Sequence, residues 1–126
     1  MVLLPQAVSL ILCERASAHV VPETWSLLGI FHRRRYPAYP APAEPLSAYS
    51  LLYDGWGEGT MELQVVRLQG GQSVYRQRRW WVLRQRFQWR HFEMKLRRCV
   101  FPERGEYLCS LCFDGRSVAE RRFELF

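Results

Sequence analysis

Apolar and polar residues alternate along much of this 126-residue chain, with the period of two that marks strands having one buried face. Met61, Leu63 and Val65 fall on one side, and Glu62, Gln64 and Val66 on the other. Phe92, Met94 and Leu96 alternate with Glu93, Lys95 and Arg97 in the same way. Val8 to Cys13 shows little alternation, which predicts a strand buried on both sides. Pro22 ends the following segment, and Thr24 to Phe31 predicts a second strand, with Gly29 marking a bulge or a close approach. Pro37, Pro40, Pro42 and Pro45 then forbid helix and central strand, so this stretch is expected to be an extended surface connection. Alternation resumes from Leu46 to Tyr53.

Turn residues separate these runs. Asp54-Gly55-Trp56-Gly57-Glu58-Gly59 predicts a turn, its glycines supplying positive φ. Gln69-Gly70-Gly71-Gln72 predicts a hairpin of the two-residue kind, and Asp114-Gly115 closes a last hairpin between Tyr107–Phe113 and Ser117–Phe126. From Gln72 to Phe101 there is neither Gly nor Pro, which a helix would tolerate. The parity shared by Trp81, Leu83, Phe87 and Trp89 instead predicts two strands with an irregular switch near Arg84 to Arg86. About eight short strands and no helix predict an all-β antiparallel β-sandwich of seven to eight strands, a single domain spanning residues 1–126. Its expected core includes Leu10, Leu12, Leu28, Ile30, Leu63, Val65, Tyr107 and Leu111.

Two resemblances add to this reading. Glu103-Arg104-Gly105-Glu106-Tyr107-Leu108-Cys109 resembles the tyrosine corner of immunoglobulin-type sandwiches, where a Tyr hydroxyl ties its strand to the preceding turn. Cys13 followed by Trp25 is similar to the cysteine and tryptophan of the second and third strands of such domains, which implies an immunoglobulin-like sandwich. The chain also resembles an uncharacterised family of small bacterial proteins. The residues concerned are Leu12-Cys13-Glu14, Trp25 to Phe31, the Pro-rich link, Gly70-Gly71, and Phe101-Pro102-Glu103-Arg104-Gly105-Glu106-Tyr107 leading into Phe113-Asp114-Gly115. That resemblance implies a cytoplasmic β-sandwich without an assigned activity, and it supplies no catalytic residues.

Composition narrows the classes. Hydrophobic residues make up 48% and charged residues 24%, which is globular usage and excludes disorder and collagen. No apolar run reaches the ~18 residues of a membrane span. The N-terminal apolar stretch has no Lys or Arg before Arg15 and is interrupted by Pro5 and Gln6, so it predicts a buried first strand rather than an export signal. The four cysteines are then expected as structural thiols in a reducing cytoplasm.

The net charge of +6 is concentrated. Arg76, Arg78, Arg79, Arg84, Arg86, Arg90, Lys95, Arg97 and Arg98 face only Glu93 within their own stretch, and the rest of the chain sums to −2. Arg with interleaved Trp80, Trp81, Phe87 and Trp89 is the composition of surfaces that neutralise phosphates and stack bases. Arg76, Arg78, Arg79, Arg84, Arg86 and Arg90 are therefore the candidate nucleic-acid contacts. Alternation offers another account, in which the arginines face water or guard a strand edge while the rings fill the core.

No constellation predicts catalysis. Cys109-Ser110-Leu111-Cys112 has the spacing of a zinc or dithiol motif, but a strand aims residues three apart at opposite faces. His19, His32 and His91 stand in no ligand spacing, Gly55-x-Gly57-x-Gly59 precedes no helix, and the carboxylates are scattered. No metal, cofactor or enzymatic activity is expected. The remaining expectation is a non-enzymatic protein-interaction module or accessory subunit of a larger assembly. Its partner is a protein, with Tyr36, Tyr39 and Trp56 as candidate anchors, since Trp, Tyr and Arg concentrate energy at interfaces. The alternative is a nucleic-acid-binding accessory protein using residues 75–98.

Overall fold

A computed structural model of the chain describes residues 2–20, 24–84 and 86–126. They form an all-β structure of twelve strands, three of them only two residues long. No helix among the described residues is long and apolar enough to cross a membrane. Strands β1 (Gln6–Cys13), β6 (Ser47–Tyr53) and β9 (Trp89–Lys95) make a three-stranded antiparallel sheet in the order β1-β6-β9. Strands β4 (Arg33–Arg34), β12 (Arg116–Leu125), β11 (Gly105–Phe113), β7 (Gly57–Arg67) and β8 (Ser73–Leu83) make a five-stranded sheet in that order. Within it only β4 runs parallel to its neighbour.

The two sheets share one core. Leu10, Leu12, Ala48, Leu52, Phe92 and Met94 come from the smaller sheet, and Met61, Leu63, Val65, Tyr107, Leu111 and Phe113 from the larger. Alternation produces this directly, since residues two apart in a strand share a face. One end of the core is closed by β5 (Ala41–Pro42) pairing with β10 (Val100–Phe101). There the buried Phe101 ring meets Tyr36, Tyr107 and Phe123 at centroid distances of 5.9, 5.3 and 5.9 Å. The Pro-rich stretch is thus not simply a surface connection. Ala41 and Ala43 are fully buried, because their small side chains let the chain cross close over the aromatic cluster.

The hairpin of β2 (Arg15–His19) and β3 (Thr24–Leu28) is a separate two-stranded sheet. It lies on the outer face of the three-stranded sheet through Trp25, whose ring sits 5.5 Å from Tyr49 and 5.6 Å from His91. This cover explains why Leu12 and Cys13 are both buried. It also corrects two core expectations: Leu28 is 61% exposed, because β3 pairs with β2 rather than entering the main sheets, and Ile30, beyond the end of β3, is 62% exposed. Val8, expected buried, is likewise exposed, as β1 is an edge strand bulged between Ala7 and Leu10. Gly29 does mark a close approach: at φ 70° a Cβ there would stand 2.7 Å from Glu14 Cγ. The stop expected at Pro22 lies outside the described residues.

The connection after β7 runs from Leu68 to Gln72, longer than a two-residue hairpin. Gly70 and Gly71 both take positive φ, and the Leu68 N–H turns to donate to Glu106 O at 2.9 Å. Asp114-Gly115 is a two-residue turn with φ 48° and 79°, the left-handed pair that matches strand twist. Glycine is unusual in mid-strand, yet Gly57 and Gly59 belong to β7 rather than to the preceding turn. A Cβ on Gly59 would lie 2.4 Å from Asp114 Oδ1, which accepts the Thr60 N–H.

Where the two sheets meet, arginines join them. On one side Arg79 of β8 donates to the Glu93 carbonyl of β9 at 3.0 Å, and its guanidinium lies 5.5 Å from the Phe92 ring. Arg90 of β9 reciprocates with the Val82 carbonyl of β8 at 3.4 Å and lies 5.4 Å from the Trp81 ring. On the other side Arg121 Nε of β12 donates to Leu10 O of β1 at 2.9 Å. Edge-strand carbonyls lack a ladder partner, and the guanidinium fork supplies one while its stem covers apolar surface.

Candidate functional site

At the end of the molecule where Tyr53 pairs with Trp89 and Gly57 with Leu83, two connections cross between the sheets. One is Asp54 to Trp56, the other Arg84 to Gln88. The Asp54 carboxylate ties them. Arg86 Nε donates to its Oδ1 at 2.7 Å and Nη2 to its Oδ2 at 3.0 Å, and the Phe87 N–H reaches Oδ1 at 3.0 Å. The Asp54 N–H donates in turn to Gln88 O at 2.9 Å. The Arg86 hydrogen bond, followed by that from Phe87, holds the Asp54 carboxyl down to about 2. Gly55, at φ 100°, is required here because a Cβ would meet Leu83 Cδ1 at 2.8 Å.

This clasp displays aromatic rings. Phe87 is 67%, Trp89 58% and Trp56 39% exposed. Trp89 leans on Tyr53 at 4.6 Å, and the Arg86 guanidinium covers the Phe87 ring at 4.7 Å. Trp56 is pinned by its backbone, which exchanges hydrogen bonds of 2.9 and 2.8 Å with Leu3. Phe87 has φ 60°, a left-handed conformation costly for a bulky residue. Strain of this sort persists where surrounding contacts over-determine it, and it collects at functional positions. The parity expectation for Phe87 and Trp89 is therefore corrected: the chain crosses between sheets at Arg84 to Gln88, so these two rings leave the inward row that Trp81 and Leu83 occupy.

The other candidate anchors stand elsewhere. Tyr36 and Tyr39 are half-buried at the opposite end, their rings 6.1 Å apart. Tyr36 donates to Ala43 O and Tyr39 to Phe126 O, each at 3.2 Å. They close the core's end beside Phe101 instead of presenting free rings.

The six candidate arginines are divided. Arg76 and Arg78 flank Glu62 on the outer face of the five-stranded sheet at 3.6 and 2.6 Å. Arg79 and Arg90 join the sheets, and Arg86 is bound to Asp54. Arg84 is exposed at the aromatic end, and Trp80, 62% exposed, stands further along β8. No single surface gathers all six.

The thiols are separated by the strand geometry. Cys109 is fully buried in the core and Cys112 lies on the opposite face of β11, half-exposed. Burial pushes Cys13 up to about 11 and Cys99 and Cys109 up to about 12, so all three are neutral thiols near neutral pH. Among the histidines, His19 Nε2 bonds Ser26 Oγ at 2.7 Å, and His91 Nδ1 bonds the Tyr49 hydroxyl beneath Trp25.

Residue spacing had no means of marking the clasp, since Asp54 and Arg86 are 32 positions apart. A legible sign was the Gly-rich turn directly after a strand, coupled with a break in parity at Arg84 to Arg86. In comparisons with known proteins, no family model and no curated protein matches this chain.

Proposed function

We propose that this protein is a non-enzymatic interaction module, and that its contact surface is the end bearing Trp56, Phe87 and Trp89. One observation carries the reading: three large rings, Trp56 and Phe87 on the two connections and Trp89 at the start of β9, remain 39–67% exposed beside the Asp54–Arg86 clasp. Aromatic rings with few rotatable bonds, fixed in place before binding, are the residues that anchor protein partners at low entropic cost. The exposed Arg84 beside them favours a partner surface with acidic residues at its rim. The two facing sheets, together with the Tyr107 hydroxyl donating to Glu103 O, support an immunoglobulin-like sandwich as the scaffold. The resemblance to small bacterial sandwich proteins supports a cytoplasmic setting.

The test is affinity capture from the native host with the wild-type chain, Trp56→Ala, Trp89→Ala and Tyr39→Ala. The first two variants are expected to lose the partner while Tyr39→Ala retains it. Equal retention by all of them would refute the end-surface reading. A nucleic-acid reading rests on Trp80, Phe87 and Trp89 near Arg78, Arg84 and Arg86. With Arg79 and Arg90 turned to the seam between the sheets, at most about four candidate cations remain for phosphates, and Arg76, Arg78 and Arg86 would have to share their charge with Glu62 and Asp54. Affinity for an oligonucleotide would then fall by roughly 10²-fold between about 50 and 200 mM salt, not the ~10³-fold or more of six contacts. A fall of that size would favour nucleic acid over protein, and a flat response would remove the nucleic-acid reading.

A further inference from the structure

The far end of the three-stranded sheet holds a second constellation, remote from the aromatic rings. There β6 begins at Ser47, β9 ends at Lys95 and β1 ends at Cys13, and these three residues pair in one row. The β2–β3 hairpin starts at Arg15 immediately beyond that row. Between the hairpin and the strand ends lies a cleft of about 720 Å³, lined among others by Arg15, Lys95, Arg97, Ser47, Glu14 and Glu44. Sites for small molecules commonly span ~300–1,000 Å³.

Its charges are unevenly committed. The exposed Arg15, Lys95 and Arg97 take part in none of the ion pairs among the described residues. Of the facing carboxylates, Glu44 already accepts the Arg98 N–H at 3.2 Å, and Glu14 packs against Gly29. Three like charges gathered in a concave wall repel one another, and a concavity focuses their field on whatever enters. A bound anion relieves that repulsion. The two carboxylates that also line the cleft oppose an extended polyphosphate chain running through, so a compact ligand fits better than a nucleic-acid strand. The buried Ser47 on the wall adds a neutral hydroxyl.

We propose that this cleft binds a small multivalent anion, a phosphate ester or a polycarboxylate, through Arg15, Lys95 and Arg97. Inorganic pyrophosphate and citrate are the probes, each at matched ionic strength against chloride, read by thermal unfolding and titration calorimetry on the full chain. At ten times Kd a ligand specific for the folded state is expected to raise Tm by about 5 °C in a chain of this length. Pyrophosphate binding more tightly than citrate identifies phosphate as the favoured group, and the reverse order identifies carboxylate. Lys95→Gln and Arg97→Gln should each weaken binding tenfold or more. Glu44→Gln, which keeps an acceptor for the Arg98 N–H while removing a competing charge, should strengthen it several-fold. Arg122→Gln, on the outer face of β12, should leave it unchanged, and unliganded Tm values serve to confirm that each variant folds. The proposal is overturned if neither probe shifts Tm at about 10 mM, a concentration sufficient to reveal even millimolar affinity. It is equally overturned if Arg122→Gln weakens binding as much as Lys95→Gln does, since the effect would then belong to net charge alone.

Discussion

Arg121 and Arg122 are adjacent in β12 and chemically identical, yet their positions assign them different energetic roles. Arg121 pairs with the fully buried Cys109 and so starts from the core-facing row, whereas Arg122 pairs with Leu108 on the outer face. From the inner row Arg121 reaches the seam and donates to Leu10 O at 2.9 Å, joining residues 111 positions apart. Arg121→Met keeps an apolar stem of similar length and removes the donor, leaving an edge-strand carbonyl without its protein partner. Hydrogen bonds involving a charged group contribute about 1.5–3 kcal/mol when well shielded. Arg121 remains partly open to water, which can replace some of that bond, so a loss of about 1–2 kcal/mol is expected. For 126 residues an unfolding entropy near 2.1 cal/mol/K per residue converts this to a Tm decrease of about 4–8 °C. Arg122→Met should change stability by no more than about 0.5 kcal/mol. Urea denaturation of both variants, with unchanged m-values, is the assay. Equal losses for the two variants would refute the argument that the inward arginine joins the sheets, as would an Arg121→Met loss below about 0.5 kcal/mol.

Other expectations follow from the same geometry. Phe87→Gly relieves a left-handed backbone conformation worth about 1–2 kcal/mol but frees the unfolded chain and removes an exposed cation–π contact, so stability should stay within about 1 kcal/mol while partner capture is lost; a large destabilisation would show that the ring is structural. Because Asp54 titrates near 2 when folded and near 4 when unfolded, its contribution is complete above about pH 4 and disappears as pH falls toward 2. Arg86→Gln should flatten that part of the stability–pH curve, and an unaltered acid limb would count against the clasp. Tyr107→Phe removes the donor to Glu103 O and should cost about 1–2 kcal/mol in urea denaturation, with a neutral result arguing that water substitutes fully.

The strands around the core were legible because alternation reports burial where both neighbours in the sheet are regular. Met61, Leu63 and Val65 face inward as the pattern predicts, and Asp114-Gly115 makes the tight turn its residues favour. Leu28 and Ile30 misled because apolarity alone does not tell which sheet a strand joins. The bridging arginines were invisible for a different reason: their partners are backbone carbonyls, which every residue carries and no side chain announces. The same limit hid the cleft, which unites Arg15 with Lys95 and Arg97 from a distant part of the chain. The density of positive charge between Arg76 and Arg98 was plain, but its division among seam, surface pairs and cleft depends on strand parity and on one crossing at Arg84 to Gln88. Trp56, Phe87 and Trp89 were recognisable as candidates individually, and only the Asp54 clasp brings them to one end.

Lys95 is the single lysine of the chain, and it stands on the wall of the cleft. Amine-directed acylation therefore has one side-chain target, apart from an N-terminal amine. A fluorophore or isotopic acetyl group attached there would report from inside the concavity, while the seventeen delocalised guanidinium groups offer no free amine and stay unmodified. Slower labelling of that one amine in the presence of an anion would register occupancy of the cleft directly, without any substitution in the protein.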